Sequence, residues 1–202
     1  MKKLGGLKKR WLTNTVSIIL ALGLVCVLAV TASFAAYYHS NMEADMKERA
    51  KTTAQFFAEF EDQNYNEFYQ SCMVYAQTFG DKDKIELQFI NNQGTLVASS
   101  YGQWAGESPK TAEIQAAVTS RAPQTYVGKD HATGERIMAV SSPMIYSNGE
   151  VIGVLRYVTS MRLMDRQIVY VALISLLGLF AVLAIVLISS NIYLHSIMIP
   201  VQ

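Results

Sequence analysis

Two stretches of 23 residues without a single charge, Thr15–Tyr37 and Ile168–Ser190, constrain this chain of 202 residues more than any other feature. At 1.5 Å rise per residue, about 20 apolar residues cross the hydrocarbon core of a bilayer as a helix. A backbone in lipid must satisfy its own hydrogen bonds, so each stretch reads as a transmembrane helix. All sixteen acidic residues lie between the two stretches. The head before the first carries Lys2, Lys3, Lys8, Lys9 and Arg10 and no acid. Lys and Arg near span ends mark the cytoplasmic side. The sequence therefore predicts a cytoplasmic head (1–14), a first span (15–37), an outer domain (38–167), a second span (168–190) and a cytoplasmic tail (191–202).

A cleaved signal peptide is the rival reading of the first stretch, because Ser33-Phe34-Ala35 spaces small residues as a cleavage site does. Signal-peptide cores run to about 15 residues, and this one exceeds that, which favours an anchor. The chain's formal charge of +1 averages over unlike parts: residues 38–167 hold 16 acids against 12 Lys and Arg. A mildly negative domain of mixed sign gives no footing for nucleic acid. About 130 residues suffice for one compact domain.

The two cysteines, Cys26 and Cys72, fall inside and outside the first span. A single helix joining them would hold them about 70 Å apart, too far to pair. Cys72 reads as a small buried hydrophobe, with an intermolecular disulfide as the alternative. The chain has no CxxC, no HExxH and no carboxylate-rich metal loop, and calls for no cofactor and no metal.

From Leu24 to Phe79 there is neither Gly nor Pro, so one helix is expected to leave the membrane and continue outward. Met42, Met46, Arg49, Thr53, Phe56, Phe60 and Phe68 recur at spacings near three, four and seven, an amphipathic face. Either Phe56, Phe57, Phe60 and Phe68 cover the domain's own core or part of the same helix forms a dimer seam, and both can hold on different faces. Beyond Gly80-Asp81-Lys82-Asp83 the period shortens towards two. Ile85–Ile90 and Thr95–Ser99 flank the turn Asn91-Asn92-Gln93-Gly94 and read as a hairpin. Ser108 and Pro109 read as the cap and first position of a short helix ending near Ser120. Three further strands are expected at Gln124–Val127, Arg136–Pro143 and Val151–Ser160. The last two are joined by Ser147-Asn148-Gly149, where both central positions of an Asn-Gly turn would take positive φ. The fold class is α+β: a five-stranded antiparallel sheet backed by a long N-terminal helix.

This order, with Phe89-Ile90-Asn91-Asn92-Gln93-Gly94-Thr95-Leu96-Val97-Ala98 in the first hairpin and Ser142-Pro143-Met144 followed by Asn148-Gly149-Glu150-Val151-Ile152-Gly153-Val154-Leu155 in the last, resembles the extracytoplasmic PAS-like (PDC or single-Cache) sensor domains over about residues 38–165. Ser196-Ile197-Met198-Ile199-Pro200-Val201 resembles the opening of a HAMP linker, which makes Pro200 the expected relay position. The combination is similar to the sensor half of a bacterial two-component histidine kinase. No His-box, ATP-binding lid or glycine-rich nucleotide segment occurs in these residues, so they carry no phosphotransfer chemistry. The resemblance implies a kinase module after Gln202, a response regulator reached only through that module, a homodimer, and a small-molecule or protein ligand on the outer side. A chemoreceptor or cyclase would share the same sensor half. From another class, a two-span channel or membrane-anchored binding protein would be complete as it stands, but neither span carries polar pore-lining positions.

Ligands of the resembled domains lie over the sheet near the short helix. Arg156 is the first candidate, since alternation places it with Ile152, Val154 and Val158 on one strand face, where a charge needs a partner. An internal salt bridge, snorkelling to solvent and an anion contact are the readings left open. Arg136, Ser141, Tyr126 and Tyr101 are candidates to converge on the same pocket. Asp130 with His131, and Glu59-Glu61-Asp62, read as solvated turn and helix rather than as metal ligands. Ala29, Ala32, Ser33 and Ala36 supply the small-residue spacing that permits close helix approach.

Overall fold

The computed structural model describes residues 2–59, 65–102, 108–131 and 133–198. It divides into two compact units, Met1–Tyr37 with Asp165–Gln202, and Tyr38–Met164. In chain order the elements are α1 (Lys2–Ala58), α2 (Tyr65–Thr78), β1 (Ile85–Asn91), β2 (Leu96–Ser99), α3 (Ala112–Ser120), β3 (Gln124–Lys129), β4 (Arg136–Ile145), β5 (Val151–Ser160) and α4 (Met161–Met198).

In the first unit, α1 and α4 hold stretches long and apolar enough to cross a membrane by length and composition. Their large side chains point outward: Leu28, Ile174 and Leu177 are each about 70 % exposed. Contiguous apolar exposure on this scale is unfavourable in water and natural in lipid. The two helices meet at a glycine. A Cβ at Gly23 would lie 2.1 Å from Leu179 Cδ1, so this approach exists because position 23 has no side chain. Ala29, Ala32, Ser33 and Ala36 are exposed on α1.

The second unit is built on the five-stranded sheet in the order β2-β1-β5-β4-β3, antiparallel throughout. One sheet face carries Leu87 and Phe89 from β1, Met138, Val140 and Met144 from β4, and Leu155 and Tyr157 from β5, all buried. The C-terminal part of α1 covers this face with Met46, Ala50, Ala54 and Phe57. These side chains recur at intervals of three and four, as one helical face requires. The Thr53 hydroxyl lies 3.1 Å from the Tyr157 hydroxyl, and Phe57 packs edge-on against Phe89, centroids 4.8 Å apart.

Four expectations are corrected here. The helix expected to run unbroken to Phe79 stops at Ala58, and α2 starts again at Tyr65. Propensity permits continuation, but packing decides otherwise. The interruption lets α2 lie over β1 and β2, with Phe68 and Tyr75 meeting Phe57 at centroid distances of 6.2 and 5.2 Å. Of the aromatics expected to cover the core, Phe57 and Phe68 are buried but Phe56 is 49 % exposed, and Phe60 lies outside the described residues. The short helix begins at Ala112 with Thr111 as its cap, three residues after the expected Pro109 start, because Thr111 is held by contacts described below. In the last hairpin only Gly149 takes positive φ, +83°. Tyr146 N donates to Glu150 O at 3.0 Å, and Gly149 N to Tyr146 O at 2.9 Å. This is a three-residue loop with one left-handed position rather than a two-residue turn with two.

The first hairpin forms as expected. Asn91 Oδ1 accepts from Gln93 N at 3.0 Å and Thr95 N at 2.8 Å, the local bonding that makes Asn a turn residue. Gly94 supplies the left-handed position, φ +80°. Cys72 is fully buried in α2, the small hydrophobe its surroundings imply, and both cysteines are free.

Candidate functional site

The sheet face away from α1 carries a polar row across all five strands. Register pairs Ser99 with Gln88, Gln88 with Arg156, Arg156 with Ser141, and Ser141 with Gln124. Directly paired residues in an antiparallel sheet point to the same side, so these five share one face. Arg156 stands at the middle of the row on the central strand and is 2 % exposed.

Its guanidinium is occupied at every nitrogen. Nε donates to Glu113 Oε1 at 2.8 Å, Nη1 to Gln88 Oε1 at 2.8 Å and Nη2 to Thr111 Oγ1 at 3.0 Å. Thr111 Oγ1 donates in turn to Glu113 Oε1 at 2.8 Å. On β1, Gln88 Nε2 donates to Glu86 Oε1 at 2.8 Å, and Ser99 Oγ donates to the same oxygen at 2.7 Å. The network thus ties α3 and its cap to β5, β1 and β2. Of the three readings of Arg156, the internal salt bridge is the one present: Arg156 and Glu113 side chains are 2 % and 1 % exposed. A buried charge is tolerable only when paired and hydrogen-bonded.

Arg156 also lines a cavity of about 220 Å³ on this face. Gln88, Val158 and Ser160 form its floor; Tyr101, Ser108 and Pro109 stand on one side, and Asp130, Thr133 and Glu135 on the other, with Glu86 beside Gln88. The Asp130 carboxylate accepts from Thr133 N and Oγ1, both at 2.9 Å. Glu135 accepts from Ser160 Oγ at 2.5 Å and pairs with Arg162 Nε at 3.1 Å. Tyr101 is half exposed; partial burial raises its phenol above the usual range, and Glu86, Asp83 and Glu135 push it further the same way.

Of the residues nominated from sequence, Arg156 and Tyr101 border the cavity together. Tyr126 packs on the same sheet face against Ile137, Ala139 and Val158, and its hydroxyl donates to Lys129 O at 3.0 Å. Ser141 is buried beside Arg156 in the register, with no hydrogen-bond partner for Oγ. Arg136 precedes Ile137, whose parity puts it on the cavity side, so Arg136 belongs to the opposite face and is exposed. Pro200 lies outside the described residues. Among the described residues no group of three or more His, Cys, Asp or Glu is arranged to hold a metal ion.

Glu113, Gln88, Glu86 and Thr111 were not nominated. Glu113 had a readable signal, since it stands four residues before Ala117 on the buried side of a short helix. A charge on an apolar helix stripe and a charge on an apolar strand face are each other's natural partners.

β5 passes into α4 without a linker, strand ending at Ser160 and helix beginning at Met161. Ser160 Oγ accepts from Arg162 N at 3.2 Å, an N-cap. Met161 and Met164 are buried in the same unit.

Residues 75–159 match the family model for the WalK sensor protein kinase Cache domain. A comparison with curated proteins finds no match. Among solved structures, the extracellular domain of the histidine kinase mmHK1S-Z2 aligns with TM-score 0.52 and 14 % identity, covering 72 % of this chain and 63 % of that one. The ligand-binding domain of the Pseudomonas aeruginosa PAO1 amino acid chemoreceptor PctC, in complex with GABA, aligns with TM-score 0.50 and 16 % identity over 66 % of this chain and 59 % of that one. The ligand-binding domain of the Campylobacter jejuni chemoreceptor Tlp3, in complex with L-valine, gives TM-score 0.50 and 13 % identity over 83 % and 65 %. The chain thus spans about three fifths of the length of these structures, and at such identities the likeness is one of fold. Residues 75–159 of the unit Tyr38–Met164 are thus similar to a Cache domain, and the unit shares the fold of these solved sensor domains.

Proposed function

We propose that the chain is the two-pass, membrane-anchored sensor part of a histidine kinase, with both termini cytoplasmic and residues 38–167 outside. In this reading the cavity beside Arg156 is the ligand site, and two copies work together as a homodimer. The observation that carries the reading is connectivity. The cavity floor includes Arg156, Val158 and Ser160 of β5, and Ser160 caps α4 directly. A ligand that prefers one arrangement of β5 and the α3 cap shifts the population towards it. The displacement reaches the second span through a strand–helix junction with no linker to absorb it. Beyond that span it would enter a HAMP-type linker around Pro200, as a helix shift.

Output is tested by the reading frame after Gln202. A phosphoacceptor His-box followed by an ATP-binding domain is the expected result. A chemoreceptor rod or a cyclase there would keep the sensor reading and replace the kinase, and a stop codon would overturn both.

A further inference from the structure

We infer that the cleft between α1 and the free end of β4 is a second ligand site, separate from the Arg156-side cavity, and that it takes a small tetrahedral oxyanion, a phosphate or sulfate group. β3 begins at Gln124, opposite Ser141, so residues 142–145 of β4 run past its end with no strand beside them on that side among the described residues. Pro143 suits such an open edge, having no N–H to leave unpaired. Lys51, Ala54, Gln55 and Ala58 of α1 border the gap, at spacings of three and four that put them on one helical face. The two alanines are too short to fill it. A cavity of about 230 Å³ remains, bordered also by Arg121, the C-cap of α3, and by Ser142 and Pro143.

The charge of this lining has one sign. Lys51 and Arg121 border the space, and no Asp or Glu of the lining opposes them. Among the described residues neither cation enters a salt bridge or a side-chain hydrogen bond, so both heads are available to a ligand. The Arg121 guanidinium stands beside the β4–β5 turn, its Nη1 3.8 Å from the place a Cβ at Gly149 would take. Two like charges facing one space repel each other, and an anion between them turns that repulsion into attraction.

A second observation points to a missing acceptor. Ser142 is 3 % exposed and pairs with Leu155 on the face that α1 covers, yet it lines this cleft. Its hydroxyl makes no hydrogen bond among the described residues. A buried hydroxyl without a partner is a deficit that a bound oxygen would relieve. The Gln55 amide adds a neutral donor at the rim. Donors thus come from a helix, a strand and a helix cap, three different directions, which suits oxygens that diverge tetrahedrally; a planar carboxylate is met by a single guanidinium fork. The space, about 230 Å³, lies below the usual range for drug-sized ligands and so admits one such group.

The test is calorimetric titration of the full chain in dodecyl maltoside with inorganic phosphate, sulfate and acetate, in about 0.15 M sodium chloride so that loose surface attraction is screened. Phosphate or sulfate is expected to bind, and acetate at least tenfold more weakly. Lys51→Gln and Arg121→Asn should each weaken oxyanion binding about tenfold or more, the scale of one charge-assisted hydrogen bond. Asn is the replacement at position 121 because that backbone is left-handed, φ +52°, a conformation Asn tolerates. Ser142→Ala should weaken binding about fivefold without lowering the unfolding temperature of the unliganded chain, since its hydroxyl has no partner to lose there. The unfolding temperatures of the unliganded variants show that each is folded. No binding of phosphate or sulfate overturns the inference. Acetate bound as tightly as either overturns it too, since the surface is then merely basic, and so does oxyanion binding unchanged in Lys51→Gln or in Arg121→Asn, since the ion then sits elsewhere.

Discussion

Arg156 on the central strand and Glu113 on the short helix, 43 residues apart in sequence, are joined Nε to Oε1 at 2.8 Å with both side chains essentially removed from solvent. This pair fixes α3 to the sheet beside the cavity.

Removing one partner leaves the other buried and uncompensated, which costs about 3–5 kcal/mol. Arg156→Ala and Glu113→Ala are each expected to destabilise the unit Tyr38–Met164 on that scale. Replacing both, Arg156→Met with Glu113→Leu, should restore most of the loss, because an apolar pair of similar volume leaves no charge unmatched. Urea unfolding of the chain in detergent, followed by near-ultraviolet circular dichroism, measures the cycle. Additive losses in the double variant would show that the two residues stabilise the fold independently.

Two strand glycines should respond differently to a methyl group. At Gly153 a Cβ would lie 2.5 Å from the Ile90 carbonyl oxygen and 3.0 Å from Met144 Cε, and backbone within the β1–β5 ladder cannot yield cheaply. At Gly128 the obstacle is the Tyr126 ring, with its hydroxyl at 2.4 Å, the far end of a side chain that can rotate away. Gly153→Ala is expected to lower stability by about 2 kcal/mol or more, in the range of overpacking. Gly128→Ala should cost less, chiefly the Tyr126–Lys129 hydrogen bond. Thermal unfolding of the two variants side by side checks the order.

Burial pushes the Cys72 thiol from 9.0 up to about 12. A folded-state value raised above the unfolded one means that the unfolded chain ionises first. The group's contribution to stability is complete below about pH 9 and is lost as pH rises towards 12. Tyr157 is also displaced upward, by burial first, and acts with the same sign at somewhat higher pH. Unfolding temperatures should therefore fall between pH 9 and 11, and fall less steeply in Cys72→Ala. The native chain should leave Cys72 unlabelled by a hydrophilic maleimide at pH 8 and expose it in urea; rapid native labelling would contradict its burial.

Much of the unit Tyr38–Met164 was legible because its signals are local. The period-two stretches, the Asn91–Gly94 turn and the Asn148-Gly149 turn identify all five strands to within two residues at each end. The oddity of Arg156 on an apolar strand face was also visible. What local pattern could not supply was pairing at a distance. The interruption after Ala58 has no Gly or Pro to announce it and follows from Phe57, Phe68 and Tyr75 meeting over Phe89. The start of α3 at Ala112 follows from Thr111 being held by Arg156 and Glu113. Likewise, the acidic lining comes from Glu86, Asp130 and Glu135, which lie on β1 and on the β3–β4 connection and meet only through the sheet order.

The proposed topology holds residues 38–167 outside the membrane between two spans, and labelling in whole cells tests it most directly. In a Cys26→Ala, Cys72→Ala background, Lys82→Cys would be compared with Gly5→Cys and Ser196→Cys, using a membrane-impermeant maleimide before and after lysis. The account predicts labelling at position 82 in intact cells and at positions 5 and 196 only after lysis. Protection of position 82 in intact cells, or labelling of either terminal position before lysis, would contradict it.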